Sequence, residues 1–593
     1  MILNTKTLSE FLGIKSFKTV TLSPEQYEQL KQEPEYHPPF YLSDHMLSYI
    51  DVTESKGNIS VSLIPIATYI KVVERQHNIA TDEYTYLVAI KNNGVLTQLI
   101  LKGEELVTLN FKNLIAYGFL FEEQYSKLLQ KYLVQSANES FIKTVHSTLG
   151  WIDEKTYLSN KVYSKDDIQS EYIGKTDLTP KGNKEIYIDF INSNVLENIP
   201  LLFVWLLGFA SAILSYLNQF RDIGCLLVGL NNLSSKGKTT AAMLATSVTS
   251  NPVFDRGLMT NFSGTSNAIL GYVSLFNGHT VVLDEVATNE AKNTRKLLYQ
   301  LCSGRERKRL DTSGELKSTA EFSSIVLITG EFSIIDETAS NGIRARVFEI
   351  TEDLTESAEH SNIIKQTVLA NYGLVYDEFL NYFIANLDDV LNDYDTLLEV
   401  LKSGFKGVKG ELTDRVLEKL AVIYMTAYFV KACFSIALNM DGIKNYIYTL
   451  ENRINTESDI ADKALDCLLD YISRNSSKFI RANISDYESC VEGKIVKNTN
   501  YVEVSILKSV AENTLCKNGF ENIKTIAHKW QCKGILVSEG DRANKRIKLT
   551  KDLPLLPCYV FKLPMCNEHI TKCQEIYDSV SSDNLDDVDI ELK

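Results

Sequence analysis

Residues Cys225–Val248, CLLVGLNNLSSKGKTTAAMLATSV, decide how the rest of the chain is interpreted. The apolar run at the start predicts a buried strand, the polar middle a loop, and the Ala-rich end a helix. This order is the context in which a glycine-containing loop binds phosphate at a helix N-terminus. Gly237 lets the backbone approach a phosphate closely, Lys238 can reach its oxygens, and Thr239 can ligate Mg²⁺.

The first half of this loop departs from the usual glycine spacing. The position of the expected first glycine is occupied by Asn232. Either Asn232 replaces that glycine, because Asn tolerates the left-handed conformation, or the loop is longer and starts at Gly229. In both cases we predict ATP and Mg²⁺ as cofactors. The predicted nucleotide contacts are Asn232, Ser235, Lys236, Gly237, Lys238, Thr239 and Thr240.

Two further apolar runs end in polar residues that complement the loop. His279–Glu285 reads HTVVLDE, a strand followed by two carboxylates. We predict that Asp284 holds Mg²⁺ together with Thr239, and that Glu285 polarises the water that attacks the γ-phosphate. The run SIVLIT ends at Thr329, which lies beside that water if its strand runs between the other two. Each piece alone can be a chance match, a helix cap or an ordinary strand end.

Arg344 and Arg346 precede a fourth apolar run in the sequence GIRARVFEI. Arginines at the far edge of a nucleotide domain can reach a γ-phosphate bound by a neighbouring subunit. A surface ion pair with Asp336, Glu337 or Glu349 explains them equally well. The predicted catalytic set is Lys238, Asp284, Glu285, Thr329, Arg346 and Arg344.

The run 199–220, IPLLFVWLLGFASAILSYLNQF, contains no charge and is long enough to cross a bilayer. Pro200, Gly208 and the polar residues at its end fit a helix buried inside a protein equally well. We favour the buried helix, because the residues that follow it build a nucleotide site.

Composition limits the function classes. The 593 residues carry 61 Lys and Arg against 76 Asp and Glu, a net charge of −15, so any contact with DNA must be local. The 10 cysteines include no CxxC pair, and we predict a cytoplasmic protein with reduced thiols. Cys558, Cys566, His569 and Cys573 lie close in sequence, but their spacing matches no standard zinc finger.

The chain is predicted to have α/β architecture with six parts. These are an accessory domain with β structure (1–140), a β-rich segment (141–195), a P-loop core (196–350), a helical lid (351–490), a winged helix (495–563) and an acidic tail (564–593). Within the winged helix we predict helices at Val502–Cys516 and Asn522–Gln531.

The order of these motifs resembles a known family. The GKTT loop, the strand ending LDE, the segment SGRERKRLDTSGELKSTAEF, the strand ending LITGE and the run GIRARVFEI are similar to those of helicase-like ATPases with a domain of unknown function. They resemble in particular the Cch-type, MCM-like replicative helicases of staphylococcal cassette elements. TLGWIDEKTYLSNKVY before the core and KGIL…KRIKL…CYVFKL at the C-terminal end extend the resemblance.

The resemblance implies an AAA+ ring, expected to be a hexamer, that uses ATP to translocate on single-stranded DNA. It implies that Arg346 acts across the subunit interface, with Arg344 as second choice, and that Arg415 senses nucleotide from the lid. Forked DNA, a primase or polymerase, and a small accessory protein from the same mobile element are the expected partners. It also assigns 199–220 to a helix of the core, so no membrane partner is expected.

Two basic groups are candidate DNA contacts. Arg307, Lys308, Arg309 and Lys317 lie in a strand–turn–strand pattern, which predicts a hairpin that tracks phosphates in a ring channel. Lys545, Arg546 and Lys548 lie on the predicted wing, which can bind the DNA backbone. A surface hairpin, and a wing that contacts only protein, are the alternatives.

We therefore predict an ATP-dependent DNA helicase that unwinds DNA in the replication of a mobile genetic element. One alternative is a DNA-binding AAA+ switch, initiator or scaffold that hydrolyses ATP without processive unwinding. Another is a membrane-associated ATPase that uses residues 199–220.

Overall fold

The structure is a computed structural model. It describes residues 15–56, 58–231, 237–285, 291–305, 321–331, 333–334, 341–407, 409–410, 412–457, 460–481, 490–498, 500–520, 523–537, 539, 542–550 and 553–564. None of the described cysteines forms a disulfide.

Two five-stranded sheets form the N-terminal part, with orders β1-β5-β4-β3-β2 and β13-β9-β6-β7-β8. Asn93 and Gly94, both with positive φ, form the tight turn between Asn92 and Val95. The strands are β1 (Val20–Leu22), β2 (Tyr36–His37), β3 (Phe40–Leu42), β4 (Met46–Ser55), β5 (Asn58–Thr68), β6 (Ile70–Asn78), β7 (Glu83–Asn92), β8 (Val95–Lys102), β9 (Phe141–His146) and β13 (Glu171–Tyr172).

Four helices accompany these sheets. They are α1 (Pro24–Leu30), α2 (Gly103–Thr108), α3 (Lys112–Ala116) and α4 (Ser126–Glu139). The Ser23 hydroxyl accepts from Gln26 N at 3.2 Å, and Gln26 Oε1 accepts from Ser23 N at 2.8 Å. This reciprocal cap fixes the start of α1.

A small sheet of β10 (Gly150–Trp151), β11 (Thr156–Leu158) and β12 (Val162–Ser164) joins this part to the centre. Trp151 Nε1 donates to Ala212 O at 3.0 Å. The buried Tyr157 hydroxyl donates to Gly278 O at 2.8 Å and lies 2.8 Å from the Tyr376 hydroxyl. His279 packs against Tyr157 in the same network, and burial lowers the pKa of His279 to about 4.

Helices α5 (Lys184–Asn194) and α6 (Ile199–Leu217) follow. By length and composition α6 is apolar enough to cross a membrane, but 89% of its most apolar window is buried inside the protein. Every side chain from Leu201 to Leu217 is buried, which confirms the prediction of a buried helix. A side-chain carbon at Gly208 would lie 2.5 Å from Ala245 O, so glycine permits the close approach of α6 to the next helix.

The central sheet is parallel, in the order β15-β16-β17-β14-β18. The strands are β14 (Leu226–Asn231), β15 (Met259–Asn261), β16 (Val281–Asp284), β17 (Ile325–Gly330) and β18 (Val347–Ile350). They are connected through α7 (Lys238–Ser247), α8 (Ser266–Leu275), α9 (Ala291–Ser303) and α10 (Asn341–Arg344). Because β17 lies between β14 and β16, the sheet has the arrangement that the interpretation of Thr329 required.

Both faces of this sheet are covered. Leu226 and Val228 pack with α6 and α7 in one core, and Leu227 packs with α8 and α9 in another. A parallel strand that is buried on both faces has a continuous apolar sequence, so the longer strands of this sheet could be predicted from the sequence.

Helices dominate residues 358–474, as predicted. They are α11 (Ala358–Ala370), α12 (Tyr376–Ala385), α13 (Val390–Gly404), α14 (Thr413–Phe434), α15 (Met440–Glu457) and α16 (Ile460–Arg474). The prediction grouped α16 with the lid, but its apolar side chains pack in the C-terminal core. Trp530 Nε1 donates to Ala461 O at 2.6 Å across that core.

The C-terminal sheet has the order β19-β20-β21-β23-β22 and packs against α16, α17 (Lys508–Lys517) and α18 (Ile523–Cys532). Its strands are β19 (Phe479–Ile480), β20 (Gly493–Lys497), β21 (Tyr501–Leu507), β22 (Lys545–Ile547) and β23 (Leu556–Pro564). The prediction of helix from Val502 was wrong. Val502, Val504 and Ile506 alternate inward, which is the period of a strand.

Gly150 and Gly94 offer a matched test of the contact between β10 and the centre. Both have positive φ, but a side-chain carbon at Gly150 would lie 2.5 Å from Asn277 O, whereas nothing lies within 4 Å at Gly94. We expect Gly94→Ala to cost about 1 kcal/mol of stability from backbone strain, and Gly150→Ala about 1–3 kcal/mol more from the clash. Thermal unfolding followed by Trp fluorescence measures both, and equal losses would contradict the close approach.

Candidate functional site

Polar side chains meet at the carboxyl edge of the central sheet. Thr329 lies level with Leu230 and Ile350, and Asp284 ends the neighbouring strand β16 in the same row. The Thr329 hydroxyl donates to Asp284 Oδ1 at 2.6 Å and accepts from Glu285 N at 3.0 Å. Asp284 and Thr329 are buried. The hydroxyl therefore fixes both the carboxylate and the backbone that follows it.

The start of α7 faces the same carboxylate. Gly237 caps the helix with a φ of 86°, which favours glycine. Lys238 is the first helical residue, and the Thr239 hydroxyl donates to Asp284 Oδ1 at 3.3 Å. The Thr240 hydroxyl is turned away and lies 2.7 Å from Ser361 Oγ. The first N–H groups of α7 thus lie beside Asp284 and Thr329, where a helix attracts anions.

Three predicted loop residues, Asn232, Ser235 and Lys236, lie outside the described residues. The structure therefore brings together Lys238, Thr239, Asp284, Glu285 and Thr329 from the predicted set.

Glu285 has left-handed backbone, with a φ of 58°, and its side chain is exposed. This conformation is unfavourable for residues other than glycine and is concentrated at functional sites. It turns the chain sharply as it leaves β16. Nothing in the sequence HTVVLDE indicates this turn.

The oxygens of Thr239 and Asp284 fit a magnesium ion. Mg²⁺ prefers oxygen ligands and is commonly held by one or two protein groups together with substrate phosphates. A hydroxyl and a carboxylate at the N-terminus of a helix supply that donor set. Among the described residues, no group of three or more His, Cys, Asp or Glu could hold a metal by itself.

Sequence reasoning missed a link at the end of β14. Asn231 Nδ2 donates to Glu349 Oε1 at 2.6 Å, and the same oxygen accepts from Ile334 N at 2.8 Å. Ser333 Oγ also donates to the Glu349 carboxylate. Glu349, named above only as an ion-pair partner for arginine, therefore ties the chain after β17 to β14 and β18.

Arg346 lies at the opposite edge of the sheet from Asp284. The Arg346 carbonyl accepts from Leu227 N at 3.0 Å. Arg346 directly precedes β18 and lies four residues before Ile350, the last residue of that strand. Because a strand extends about 3.3 Å per residue, the Arg346 backbone lies about 13 Å along the strand direction from the row that contains Thr329 and Asp284. Its side chain is half-buried, whereas Arg344 is 3% exposed.

Arg415 lies in the first turn of α14 and is exposed. One turn later, the buried Lys419 donates through Nζ to Ile223 O, just before β14. Burial, and then the charges of Arg346 and Arg415, lower the pKa of Lys419. A side-chain carbon at Gly224 would lie 3.8 Å from Lys419 Nζ and 3.9 Å from Arg346 Nε, so these two cations lie at the same edge of the sheet. Lys419 was not predicted, and only its position one turn after Arg415 could have indicated it.

The predicted DNA contacts fall into two groups. Arg307, Lys308, Arg309 and Lys317 lie outside the described residues, but the ends of their segment meet. Arg305 and Glu321 form an isolated bridge and a 3.3 Å ion pair. Phe322 N donates to Gly304 O at 2.8 Å beside that bridge.

In the C-terminal part, Lys545 and Arg546 on β22 and the nearby Lys548 are exposed. Cys558 is buried in β23. Cys566, His569 and Cys573 lie outside the described residues.

Comparison with known proteins finds two families. Residues 40–321 match the family described as "Domain of unknown function (DUF927)". Residues 459–566 match the "Cch helix turn helix domain", whose first residues coincide with α16. Among solved structures, "SCCmec type IV Cch - active helicase" has a TM-score of 0.73 at 23% identity and covers 90% of this chain and 98% of its own.

This chain resembles the Cch-type helicases. The likeness to the solved Cch structure establishes a shared mixed α/β fold over nearly the whole chain. The "A form apo structure of NrS-1 C terminal region-CTR" has a TM-score of 0.29 at 10% identity over 82% of this chain and 96% of its own, which carries no argument. No curated protein matches the chain significantly.

The substitution Thr329→Val tests the hydrogen bonds of the Thr329 hydroxyl with Asp284 and Glu285 N. Removing the hydroxyl leaves the buried Asp284 carboxylate with one donor fewer, and we expect a loss of about 1–3 kcal/mol in stability. Thr329→Ser keeps the hydroxyl and should lose much less. Thermal unfolding measures both variants. Equal losses would mean that the methyl group, and not the hydrogen bond, matters here.

Proposed function

We propose that the chain is an ATP-dependent DNA helicase of the AAA+ class, with its P-loop core at residues 196–350. The observation that carries the proposal is the hydrogen-bonded group of Thr239, Asp284 and Thr329 beside the N-terminus of α7. A hydroxyl, two carboxylates and a lysine at the carboxyl edge of a parallel sheet are the groups that nucleotide hydrolysis needs.

Each residue has a role in this proposal. Lys238 and the N–H groups of α7 bind the β- and γ-phosphates. Thr239 and Asp284 hold Mg²⁺, which when bound neutralises charge on those phosphates. Glu285 accepts a proton from the attacking water, whose oxygen bonds to the γ-phosphorus as the bond to ADP breaks. Thr329 orients Asp284 and the backbone of Glu285.

We propose that six copies assemble into a ring, and the position of Arg346 supports this proposal. It lies at the edge opposite its own Asp284, so it is better placed to reach ATP held by a neighbouring copy. Its partly exposed side chain makes it a better candidate than the buried Arg344.

We propose that single-stranded DNA runs through this ring past Arg307, Lys308, Arg309 and Lys317, and that Lys545, Arg546 and Lys548 contact the DNA backbone. Because the likeness extends to the Cch helix-turn-helix domain, we propose that this activity serves the replication of a mobile genetic element and that the protein acts in the cytoplasm. A primase, polymerase or small accessory protein is the corresponding partner.

Strand displacement on a forked DNA with one labelled strand tests site and function together. Wild type should separate the strands with ATP. Lys238→Ala should abolish turnover because phosphate loses its cation, and Glu285→Gln should bind ATP but hydrolyse it at least about 100-fold more slowly. If Lys238→Ala still hydrolysed ATP, the assignment of the nucleotide-binding site would be wrong.

A DNA-bound switch is the second candidate, because the C-terminal domain match is itself to a helix-turn-helix. It predicts ATP hydrolysis without strand separation in the same assay. Hydrolysis without unwinding would therefore favour the switch.

Arg346→Ala tests the action between subunits. It should leave nucleotide binding intact and reduce turnover about 10³-fold, because charge on the transferring phosphoryl group is no longer stabilised. Mixing with Lys238→Ala subunits should restore part of the turnover, since each variant keeps the half-site that the other lacks. Arg221→Ala is the control, since it removes an exposed arginine paired with Asp395. Failure to rescue would indicate a role within one subunit.

A further inference from the structure

The two N-terminal sheets end in four edge strands, and one of these differs from the rest. Strand β1 has 3 residues, and β2 and β13 have 2 residues each, whereas β8 has 8. Very short edge strands are one way in which proteins avoid unwanted strand pairing. In the part of the chain that the structure describes, β8 pairs only with β7. One long edge of the N-terminal part therefore has no described strand beside it.

The side chains of β8 do not protect this edge. The strand reads VLTQLILK, without proline, and its one charge is at its last residue, Lys102. Val95, Leu96 and Ile100 are 65%, 55% and 49% exposed. Edge strands usually have charged residues or proline where they could meet another strand. An apolar edge of this length is instead suited to pairing.

The turn before β8 determines which backbone groups face outward. Because the turn has two residues with positive φ, Asn92 and Val95 exchange hydrogen bonds across it. The N–H groups of alternate residues starting at Val95 therefore face β7, and those of the residues between them face the open edge. Lys102 N donates to its own neighbour, Glu105 Oε2, at 2.9 Å. The outward donors that are left are those of Leu96, Gln98 and Ile100.

We propose that β8 pairs antiparallel with β8 of a second copy of the chain. A register centred on Gln98 places this residue opposite Gln98 of the second copy, and Leu96 opposite Ile100. All the outward donors listed above then meet outward carbonyl groups, as in a regular antiparallel ladder. A shift of two residues in either direction places Gln98 opposite Leu96 or Ile100 and loses the apolar match. The strand is thus complementary to itself in one register.

Charge and packing favour a second copy as the partner strand. In this register the two Lys102 side chains lie at opposite ends of the pair, about 26 Å apart at about 3.3 Å per residue. Ile100 lies beside Leu87 of β7 on the outer face of the sheet. Leu96 of the second copy extends this apolar row, and cross-strand apolar pairs of this kind stabilise a sheet.

The contact is two-fold, so it closes after two copies and is separate from the cyclic contact proposed for the ring. It uses no residue of the nucleotide site, and the inference does not rest on the proposed function. A single pair of strands buries less area than a standard interface of about 1,200–2,000 Å². We therefore expect the two copies to dissociate at micromolar concentrations.

Gln98→Cys and Lys102→Cys test the register in the full-length chain. In the proposed pair the Cα atoms of the two residues at position 98 lie about 5.5 Å apart, which a disulfide can span. Mild oxidation should therefore link Gln98→Cys chains into dimers on a non-reducing gel. Lys102→Cys, at an exposed position of the same strand, should give no more dimer than wild type, whose own cysteines set the background. Equal crosslinking of the two variants would overturn the proposal.

Ile100→Lys tests the apolar pairing. It should raise the dissociation constant of the dimer at least about 10-fold, because the two-fold contact contains the substitution twice. Ile59→Lys is the control, since Ile59 is 64% exposed on β5 and lies outside the contact. Sedimentation velocity over a concentration series measures both variants, and association of Ile100→Lys like that of wild type would refute the pairing. ATP turnover should be the same in both variants, so this result is independent of the proposed function.

Hydrogen exchange distinguishes a second copy from other covers of the edge. The amides of Leu96, Gln98 and Ile100 should become protected as the protein concentration rises. Those of Thr97 and Leu99, which face β7, should be protected at every concentration. Protection of all these amides even at the lowest concentration would mean that another segment of the same chain covers β8. Protection that required a different added protein would identify that protein as the partner. Either result would overturn the proposal.

Discussion

The parallel pairing of β14 with β17 and β18 is the constraint on which the rest depends. Its register sets Leu230, Thr329 and Ile350 in one row, with Asp284 at the end of β16 beside them. The same register places Arg346 at the other edge. One sheet therefore presents Asp284 and Thr329 at one edge and Arg346 at the other, and a single copy cannot bring the two together. This separation is the geometric basis of the proposed assembly.

The surrounding structure holds this sheet rigidly. The apolar helix α6 packs along one face and approaches α7 closely at Gly208. The strand of Asp284 is anchored at its start by the buried contacts of His279 with Tyr157 and Ser159. Because these contacts come from β11, the N-terminal part is connected to the strand that carries the catalytic candidates.

The strands β14, β16, β17 and β18 could be predicted because each is an apolar run, and the first three lead into polar residues. The three-residue β15 has no such run and was not predicted. The position of Thr329 was predicted on the condition that its strand lies between the other two, and the strand order meets that condition. Other features depend on contacts distant in sequence. Asn231 and Glu349 are 118 residues apart, and no local pattern indicates their bond. The spacing of apolar residues in α16 shows that one face of the helix is buried. It does not show whether that face packs in the lid or in the C-terminal core.

The bridge between Arg305 and Glu321 has a mechanical consequence. Glu321 leads within four residues into β17, which is hydrogen-bonded to β16 on one side and β14 on the other. A force on Glu321 along the strand is therefore resisted by hydrogen bonds to both neighbouring strands. Thr329 lies near the other end of β17 and donates to Asp284 at 2.6 Å. One strand thus connects the bridge at one edge of the sheet with the hydrogen-bonded group at the other.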